Sequence, residues 1–295
     1  MNALFLLDKP TGMSSNHALQ KVKRLFCAKK AGHTGTLDPM ASGMLPICFG
    51  EATKFSHYLL DSDKTYAVTM QLGVRTNTSD AEGEIISTRV VPALTIQDID
   101  RAFDFFRGPI LQIPTMFSAL KYQGKKLYEY AREGITVERA ARPIMIYAIY
   151  VLSFENNFVR FTVKCSKGTY VRTLVDDVGE KLNCGAHVTA LRRLSVGPFQ
   201  ENQMISFEKL ESIMNSSNFS LEKILLPPDI TVSHLPKIVF AHDEVIAIMQ
   251  GKTLHHNAGA VVGLIRFYDD QNQFFGVGER LADGKIVSKR LVSQV

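Results

Sequence analysis

The sequence predicts an α/β protein in two parts, a larger mixed domain followed by a small β-rich module. Two observations predict this arrangement. Segments with the periodicity of strands and helices alternate between residues 3 and 200, as in a domain that packs helices on a sheet. After the break at Pro227-Pro228-Asp229, short alternating runs are separated by glycines, which is typical of a small β fold. We therefore place the domain boundary near residue 232, between residues 1–232 and 233–295.

The first predicted elements are a strand over residues 3–7 and a helix that follows it. Ser14 or Ser15 can cap this helix, because a serine side chain accepts a hydrogen bond from a free backbone N–H of the first turn. Three apolar positions share one face of the helix: Leu19, Val22 and Phe26. This face is expected to pack against the sheet, and the basic residues of the helix lie on another face.

Later segments carry equally clear periodicity. Residues 65–72 alternate, which predicts a strand with Tyr66 on its apolar side. Thr95 and Asp98 resemble a capping box, which predicts a helix that ends at Gly108. Residues 159–165 alternate as a second strand, and the apolar spacing after them predicts a helix over residues 171–182.

The composition is that of an ordinary globular protein, with 45% hydrophobic residues and a mean hydropathy of zero. The apolar run over residues 3–7 is too short for a signal peptide or a transmembrane helix, so we expect a cytoplasmic protein. The four cysteines lie far apart and form no C-x-x-C pair: Cys27, Cys48, Cys165 and Cys184. We therefore predict reduced thiols, no metal site and no cofactor.

The charge is mildly basic, with a net charge of +5 and a pI near 8.9. This excess suits a polyanionic partner without proving one. Basic residues form three groups that could meet phosphates: Lys21 to Lys30, Lys121 to Lys126, and Arg192-Arg193. One group lies directly before a glycine-rich stretch, so the pattern favours a nucleic acid as partner.

That stretch is Gly32-His33-Thr34-Gly35-Thr36-Leu37-Asp38-Pro39-Met40-Ala41-Ser42-Gly43. Its glycines and proline predict a tight loop that presents one carboxylate, Asp38, with His33 five residues before it. An isolated Asp-Pro is most often a turn, but the glycine-rich context favours a functional loop. A phosphate-binding P-loop is excluded because no G-K-[ST] follows, and a Ser-His-Asp hydrolase lacks its G-x-S-x-G elbow.

The Asp38 loop closely resembles the catalytic motif of the bacterial TruB-type tRNA pseudouridine synthases. The resemblance covers residues 3–200 densely and the remainder loosely. It is carried by further motifs along the chain: Asp8-Lys9-Pro10, Gly50-Glu51-Ala52-Thr53-Lys54, Thr78-Ser79-Asp80-Ala81-Glu82-Gly83, Gln112-Ile113-Pro114, Ser118-Ala119-Leu120-Lys121, Tyr170-Val171-Arg172 and Arg192-Arg193-Leu194. Accidental matching on this scale is not credible.

The resemblance implies an isomerase that converts uridine to pseudouridine in the T loop of tRNA, at the position numbered 55 by convention. It also implies a mixed, largely antiparallel sheet, and a PUA-like RNA-binding β-barrel for residues 233–295. The detached base must be kept and water excluded, so one carboxylate suffices where a glycosidase requires two. By its matching motif Asp38 carries that role. Attack on C1′, attack on C6 and removal of the C2′ proton all remain open.

The resemblance implies roles for further side chains. Arg172 lies against the catalytic carboxylate, and Tyr66 forms an aromatic wall stacked on the target base, where it can handle the C5 proton. His33 enters the RNA loop and stacks where the extruded base had been. Four more residues are assigned to the pocket by the same resemblance: Tyr170 as a lining residue, Leu191 as an apolar contact to the base, and Lys9 and Pro10 as the floor.

Two alternatives accompany this interpretation. A guided, ribonucleoprotein-bound relative is disfavoured because the tail carries no long lysine-rich extension. A non-catalytic RNA-folding protein could use the same surface, and binding data alone would not separate the two. We expect a monomer that acts on the T arm of tRNA and requires neither a protein partner nor a membrane.

Overall fold

The computed structural model describes residues 1–216, 220–255 and 262–293. Seven α-helices lie within these residues: α1 (Ser15–Leu25), α2 (Ser56–Leu60), α3 (Ile96–Asp104), α4 (Leu127–Arg132), α5 (Val171–Lys181), α6 (Phe207–Met214) and α7 (His242–Met249). Short 3₁₀ helices are added at Gly50–Phe55, Glu201–Gln203, Leu221–Lys223 and Pro228–Val232.

Strands supply the framework of both parts of the chain. The first part contains β1 (Ala3–Lys9), β2 (Ala31–His33), β3 (Ser42–Phe49), β4 (Lys64–Leu72), β5 (Val74–Thr76), β6 (Ile85–Thr88), β7 (Gly108–Gln112), β8 (Lys121–Tyr122), β9 (Lys125–Lys126), β10 (Arg142–Glu155), β11 (Phe158–Cys165) and β12 (Ala186–Val196). The second part contains β13 (Lys237–Val239), β14 (Leu254–His255), β15 (Gly263–Tyr268), β16 (Phe274–Arg280) and β17 (Lys285–Leu291).

An eight-stranded sheet in the order β1-β3-β12-β4-β11-β10-β7, with β2 added beside β3, forms the first domain. Its pairs are antiparallel except where β12 meets β3, and that short parallel contact joins Arg192 to Ser42 and Arg193 to Gly43. The prediction of a mixed, largely antiparallel sheet is therefore confirmed. The parallel contact adjoins the glycine-rich loop, because β3 begins at the end of that loop.

The predicted first helix is confirmed as α1, with Ser14 as its N-cap accepting a hydrogen bond from the His17 N–H at 3.2 Å. The predicted capping box is also present, since Thr95 and Asp98 bond reciprocally at the start of α3. That helix ends at Asp104 rather than Gly108. The difference arises because Gly108, with a φ of +90°, already begins strand β7.

The main core lies between α3, α5 and one face of the sheet. The alternating residues of β4 bury Tyr66 and its apolar neighbours on this face, as the sequence predicts. Leu37 and Ala41 of the glycine-rich loop belong to the same cluster. The loop is therefore packed into the edge of a rigid core and does not project freely into solvent.

The C-terminal strands form a separate five-stranded sheet in the order β13-β15-β16-β17-β14, shaped as a half-barrel. The predicted β-rich module is confirmed, and α7 is added to it, which the sequence patterns did not indicate. The half-barrel packs on the first domain: Phe274 meets Phe55 with ring centroids 5.2 Å apart, and Lys54 Nζ donates to the Leu291 carbonyl at 2.9 Å.

The state of the cysteines and the length of the helices bear on two further expectations. All four cysteines are free thiols, with Cys27 exposed and the other three buried. Across the described ranges no helix is long and apolar enough to cross a membrane.

Candidate active site

The loop between β2 and β3 is held at both sides of Asp38. The Ser15 side chain donates to the Leu37 carbonyl at 2.9 Å and accepts from the Leu37 N–H at 2.8 Å. On the other side, the Ala41 N–H donates to the Asp38 carbonyl and the Gly12 N–H donates to the Pro39 carbonyl. The backbone around Asp38 is thus fixed by hydrogen bonds before any substrate arrives.

Arg172 faces Asp38 directly. Its Nε lies 3.0 Å from Asp38 Oδ2, and the Arg172 side chain is only 7% exposed while that of Asp38 is 34% exposed. Arg172 sits in the first turn of α5, so the helix aims it at the loop. The carboxylate is therefore open on one side and paired with a buried cation on the other.

The rest of the Arg172 guanidinium is fully engaged. Nη1 lies 3.1 Å from Asp80 Oδ2 and donates to the Thr78 carbonyl, and Nη2 donates to the Phe117 carbonyl at 2.8 Å. Asp80 itself is buried and accepts from the Thr78 hydroxyl. A planar guanidinium with this many fixed partners has one orientation, and in that orientation Nε lies 3.0 Å from Asp38 Oδ2.

Asp80 was not among the site residues that the sequence analysis singled out. The structure buries Asp80 beside Arg172, in the turn between β5 and β6. The sequence did contain a signal, because Asp80 lies in one of the motifs shared with the TruB-type enzymes. Its partner is 92 residues away along the chain, so residue spacing alone could not pair them.

Burial raises the pKa of Asp38, and the nearby charge of Arg172 opposes that rise. A smaller contribution from Asp80 acts in the same direction as burial, and the charge of Lys9 acts against it. The site thus removes much of the water that would stabilise the carboxylate and supplies a fixed cation instead. Arg172 therefore favours the ionised form of Asp38 against the effect of burial.

Lys9 lies beneath the loop. Its Nζ donates to the carbonyls of Met13 at 2.6 Å and Pro10 at 2.9 Å, with a longer contact of 3.4 Å to the Pro39 carbonyl. Burial lowers the pKa of Lys9 to about 8, although the charge of Asp38 opposes the shift. The Pro10 side chain is exposed, so Pro10 contributes its carbonyl rather than its ring.

Tyr66 and Leu191 are buried on neighbouring strands in the same apolar cluster as Leu37, the residue before Asp38. Tyr170 is the N-cap residue of α5, and its backbone is fixed by both atoms of the Gln112 side-chain amide, at 2.8 and 3.0 Å. Burial raises the pKa values of both tyrosines. The predicted pocket residues thus converge on one region, although they come from distant parts of the sequence.

His33 ends strand β2, five residues before Asp38, and is half-buried. Its Nδ1 has no hydrogen-bond partner among the described residues. Burial, and after it the charge of Arg193, lower the pKa of His33, so the ring is neutral at pH 7. A neutral imidazole at the mouth of the loop is suited to stacking.

The prediction that Arg192-Arg193 forms a basic group for phosphates is wrong. Arg193 is only 1% exposed, and its guanidinium donates to the carbonyls of Met44 and Gly35. Arg192 is occupied by ion pairs with Asp8 and Glu201, both at 2.8 Å. A run of two basic residues on a strand points to opposite faces, and here one of them faces the core.

Three family models match consecutive parts of the chain. The model described as "TruB family pseudouridylate synthase (N terminal domain)" covers residues 23–171, which include Asp38 and end beside Arg172. "tRNA pseudouridylate synthase B C-terminal domain" covers residues 172–233, and "Pseudouridine synthase II TruB, C-terminal" covers residues 236–292. The chain belongs to the TruB family of pseudouridine synthases.

Curated relatives agree over the full length. A protein of Haemophilus influenzae (strain 86-028NP) named "tRNA pseudouridine synthase B" is 53% identical, covering 100% of this chain and 96% of its own. A protein of the same name from Actinobacillus succinogenes is 50% identical, covering 100% and 95%. These names give no support to the non-catalytic alternative.

A solved structure titled "Crystal Structure of a Cbf5-Nop10-Gar1 Complex" contains a chain with the same architecture. It superposes with a TM-score of 0.75 at 25% identity, covering 99% of this chain and 84% of that one. The predicted TruB resemblance and the predicted fold class are therefore both confirmed, and the same fold occurs in a chain that was solved within a complex.

Proposed function

We propose that this protein isomerises uridine to pseudouridine in tRNA, at position 55 of the T loop, with Asp38 as the catalytic carboxylate. The reaction and the RNA class are supported by membership of the TruB family and by full-length relatives named as tRNA pseudouridine synthases. The main structural support for Asp38 as the catalytic carboxylate is the 3.0 Å contact between Arg172 Nε and Asp38 Oδ2.

Asp38 acts on the target nucleoside in its ionised form. Each of three routes requires a carboxylate: nucleophilic attack on C1′, nucleophilic attack on C6, or removal of the C2′ proton. Arg172 favours that form against the burial that raises the pKa of Asp38. Arg172 Nε lies 3.0 Å from Oδ2, and we assign the other carboxylate oxygen, Oδ1, to the sugar.

The detached base has to stay in the site between the cleavage of the N1–C1′ bond and the formation of the C5–C1′ bond. Apolar walls suit this task, because they exclude the water that would otherwise trap the sugar. Tyr66 and Leu191 supply such walls from adjacent strands, with Tyr170 at the helix end opposite. We assign Tyr66 and Arg172 with Asp38 to the chemistry, and Tyr170 and Leu191 to holding the base.

Access to the sugar requires extrusion of the uridine from the folded RNA loop. We assign His33 to the vacated position, because a neutral ring at the loop mouth can stack without placing a charge in the RNA core. Lys9 and Pro10 support the floor, with Lys9 joining the carbonyls on both sides of the site.

Residues 233–295 are proposed as an RNA-binding module that increases affinity for tRNA, with the boundary near residue 232. The basic groups at Lys21 to Lys30 and Lys121 to Lys126 supply phosphate contacts. We further propose that the protein acts as a monomer in the cytoplasm without a protein partner, unlike the chain solved in the Cbf5-Nop10-Gar1 complex. A guide RNA or a partner would be redundant for a protein that recognises the T arm by shape.

The purified protein, incubated alone with unmodified tRNA transcript, tests the proposal. We expect stoichiometric pseudouridine at position 55, detected by carbodiimide adduct mapping or mass spectrometry. Pseudouridine at another position would change the assigned substrate site. Tight tRNA binding with no pseudouridine after long incubation would favour the RNA-folding alternative.

A further inference from the structure

Arg193 is a buried cation that the proposed chemistry leaves without a role. It is 1% exposed, and among the described residues no carboxylate forms an ion pair with it. Its Nε donates to the Met44 carbonyl at 2.7 Å, and its Nη2 donates to the Gly35 carbonyl at 3.0 Å. A guanidinium cannot lose its proton in a protein, so a permanent charge lies in the core at a cost in stability.

The position of Arg193 is set by the sheet. On β12 it is the cross-strand partner of Tyr66 on one side and of Gly43 on the other. Gly43 has a φ of +98°, and a Cβ there would lie 2.3 Å from the Arg193 carbonyl oxygen, so the two backbones touch. Directly opposed residues share a face, which brings the Arg193 side chain beside the Tyr66 ring.

The guanidinium therefore bonds to two segments of the site and comes from the residue directly opposite Tyr66. It binds the catalytic loop at Gly35, before Asp38, and binds β3 at Met44, directly after the loop. Burial raises the pKa of the Tyr66 phenol, and the charge of Arg193, its cross-strand neighbour, opposes that rise. Cys165 and Asp38 are the other titratable groups that act on Tyr66, and both raise its pKa.

We infer that Arg193 is a positioning residue for the proposed reaction: it holds a fixed positive charge beside Tyr66 and the Asp38 loop, and this charge stabilises the Tyr66 oxygen as an anion while that oxygen transfers a proton. This inference rests on the proposed function. Arg193 touches no reacting atom; it acts through Tyr66. Arg172 then stabilises the carboxylate that acts on the sugar, and Arg193 stabilises the phenol that exchanges a proton with the base.

The proton balance is complete without a further reactant. After the N1–C1′ bond has broken, the phenol gives its proton to N1 of the base and becomes a phenolate beside Arg193. When C5 has bonded to C1′, the C5–H bond breaks, its electron pair restores the C5–C6 double bond, and the proton passes to the phenolate oxygen. The net change is one proton moved from C5 to N1, as pseudouridine requires.

The test combines a double-mutant cycle with an isotope effect, measured in single turnovers on tRNA transcript. Arg193→Lys keeps the charge but loses the planar fork, and we expect a fall in rate of about tenfold or more. In a Tyr66→Phe background, which lacks the hydroxyl, the same substitution should change the rate less than about twofold. Arg75→Lys, at an arginine paired with Asp176 on α5, is the matched control and should leave the rate unchanged.

The isotope effect separates this role from simple loss of fold. With uridine deuterated at C5, Arg193→Lys should show a larger isotope effect than the wild type, because removal of the C5 proton becomes slower. Equal losses in both backgrounds, or an unchanged isotope effect, would show that Arg193 only supports the loop. If Arg193→Lys fails to fold, the wild type is compared with Tyr66→Phe instead. Equal rates and equal isotope effects in these two proteins would show that the phenol takes no part in the proton transfer, and the inference would then be refuted. A wild type that forms no pseudouridine would instead refute the proposed function.

Discussion

The domain that holds Asp38 and the C-terminal half-barrel bury different kinds of side chain. The former buries charged residues in its core: Lys9, Lys64, Asp80, Arg172 and Arg193. Among the described residues after 232, no Lys, Arg, Asp or Glu is buried, and the core is built from apolar side chains such as Phe240, Phe267 and Phe275. Burying a charge costs several kcal/mol before its partners offset the cost. The first domain therefore contains buried charges that lower its stability, and several of them surround the proposed site.

The buried charges are not alike. Arg172 and Asp80 pair with each other at 3.1 Å, whereas Lys9, Lys64 and Arg193 bond to backbone carbonyls. The first arrangement orients a guanidinium toward Asp38, and the second ties loops together around the site. Removing a charge should accordingly affect turnover in the first domain, while changes in the half-barrel should affect affinity.

The largest expected effect comes from Asp38→Asn. Isomerisation should be lost, by about a thousandfold or more, because an amide is neither the nucleophile nor the base that each route requires. Affinity for tRNA should stay within a few-fold, since many other groups contact phosphates. Single-turnover formation of pseudouridine and a filter-binding assay measure the two quantities. Retained turnover would remove Asp38 from the mechanism.

Asp80→Asn should have the second largest effect on the rate of isomerisation. Without this carboxylate, Arg172 loses the partner that holds Nη1, and misplacement of a group near the reacting atoms costs about a hundredfold in rate. We expect the loss in kcat, with KM for tRNA little changed. Asp176→Asn is the matched control, because Asp176 lies on the same helix and pairs with Arg75 at 2.7 Å rather than with Arg172. Equal effects of the two substitutions would contradict an orienting role for Asp80.

Deletion of residues 233–295 should have a smaller and different effect. The proposed pocket residues all lie before residue 233, so we expect kcat within a few-fold and a loss of tRNA affinity of about tenfold, or about 1.4 kcal/mol. The deletion also uncovers Phe55, which packs with Val277 in the intact protein, so circular dichroism should accompany the assay. A folded truncation with unchanged affinity would make the half-barrel a structural appendage.

The smallest expected effect is that of chelation. Each proposed step is carried by side chains of the chain itself, so excess EDTA should leave the rate on already folded tRNA unchanged. Prefolding the RNA and measuring its integrity by native gel keeps the effect of magnesium on tRNA out of the comparison. A metal requirement for the chemistry on folded RNA would overturn the cofactor-free mechanism.

Much of the fold was predictable, for local reasons. The Ser14 cap, the Thr95–Asp98 capping box and the alternation of β4 are encoded within a few residues each. The end of α3 was placed too late, because the left-handed Gly108 serves the start of a strand there rather than a helix end. The Asp38 loop was recognisable because its glycines and its proline lie close together in one short stretch of the sequence. The proposed roles of its neighbours remain predictions for the assays above.

The sequence by itself determined the family, the position of the Asp38 loop and the elements whose signals are local, because glycine spacing, capping and periodicity act over short stretches of chain. Only the tertiary structure decided the environment of each charge. It buried Arg193 beside Tyr66 although the sequence suggested a surface pair with Arg192, and it joined Asp80 to Arg172 across 92 residues. Both outcomes follow from sheet register and burial, which depend on how distant strands align and cannot be read from any one segment.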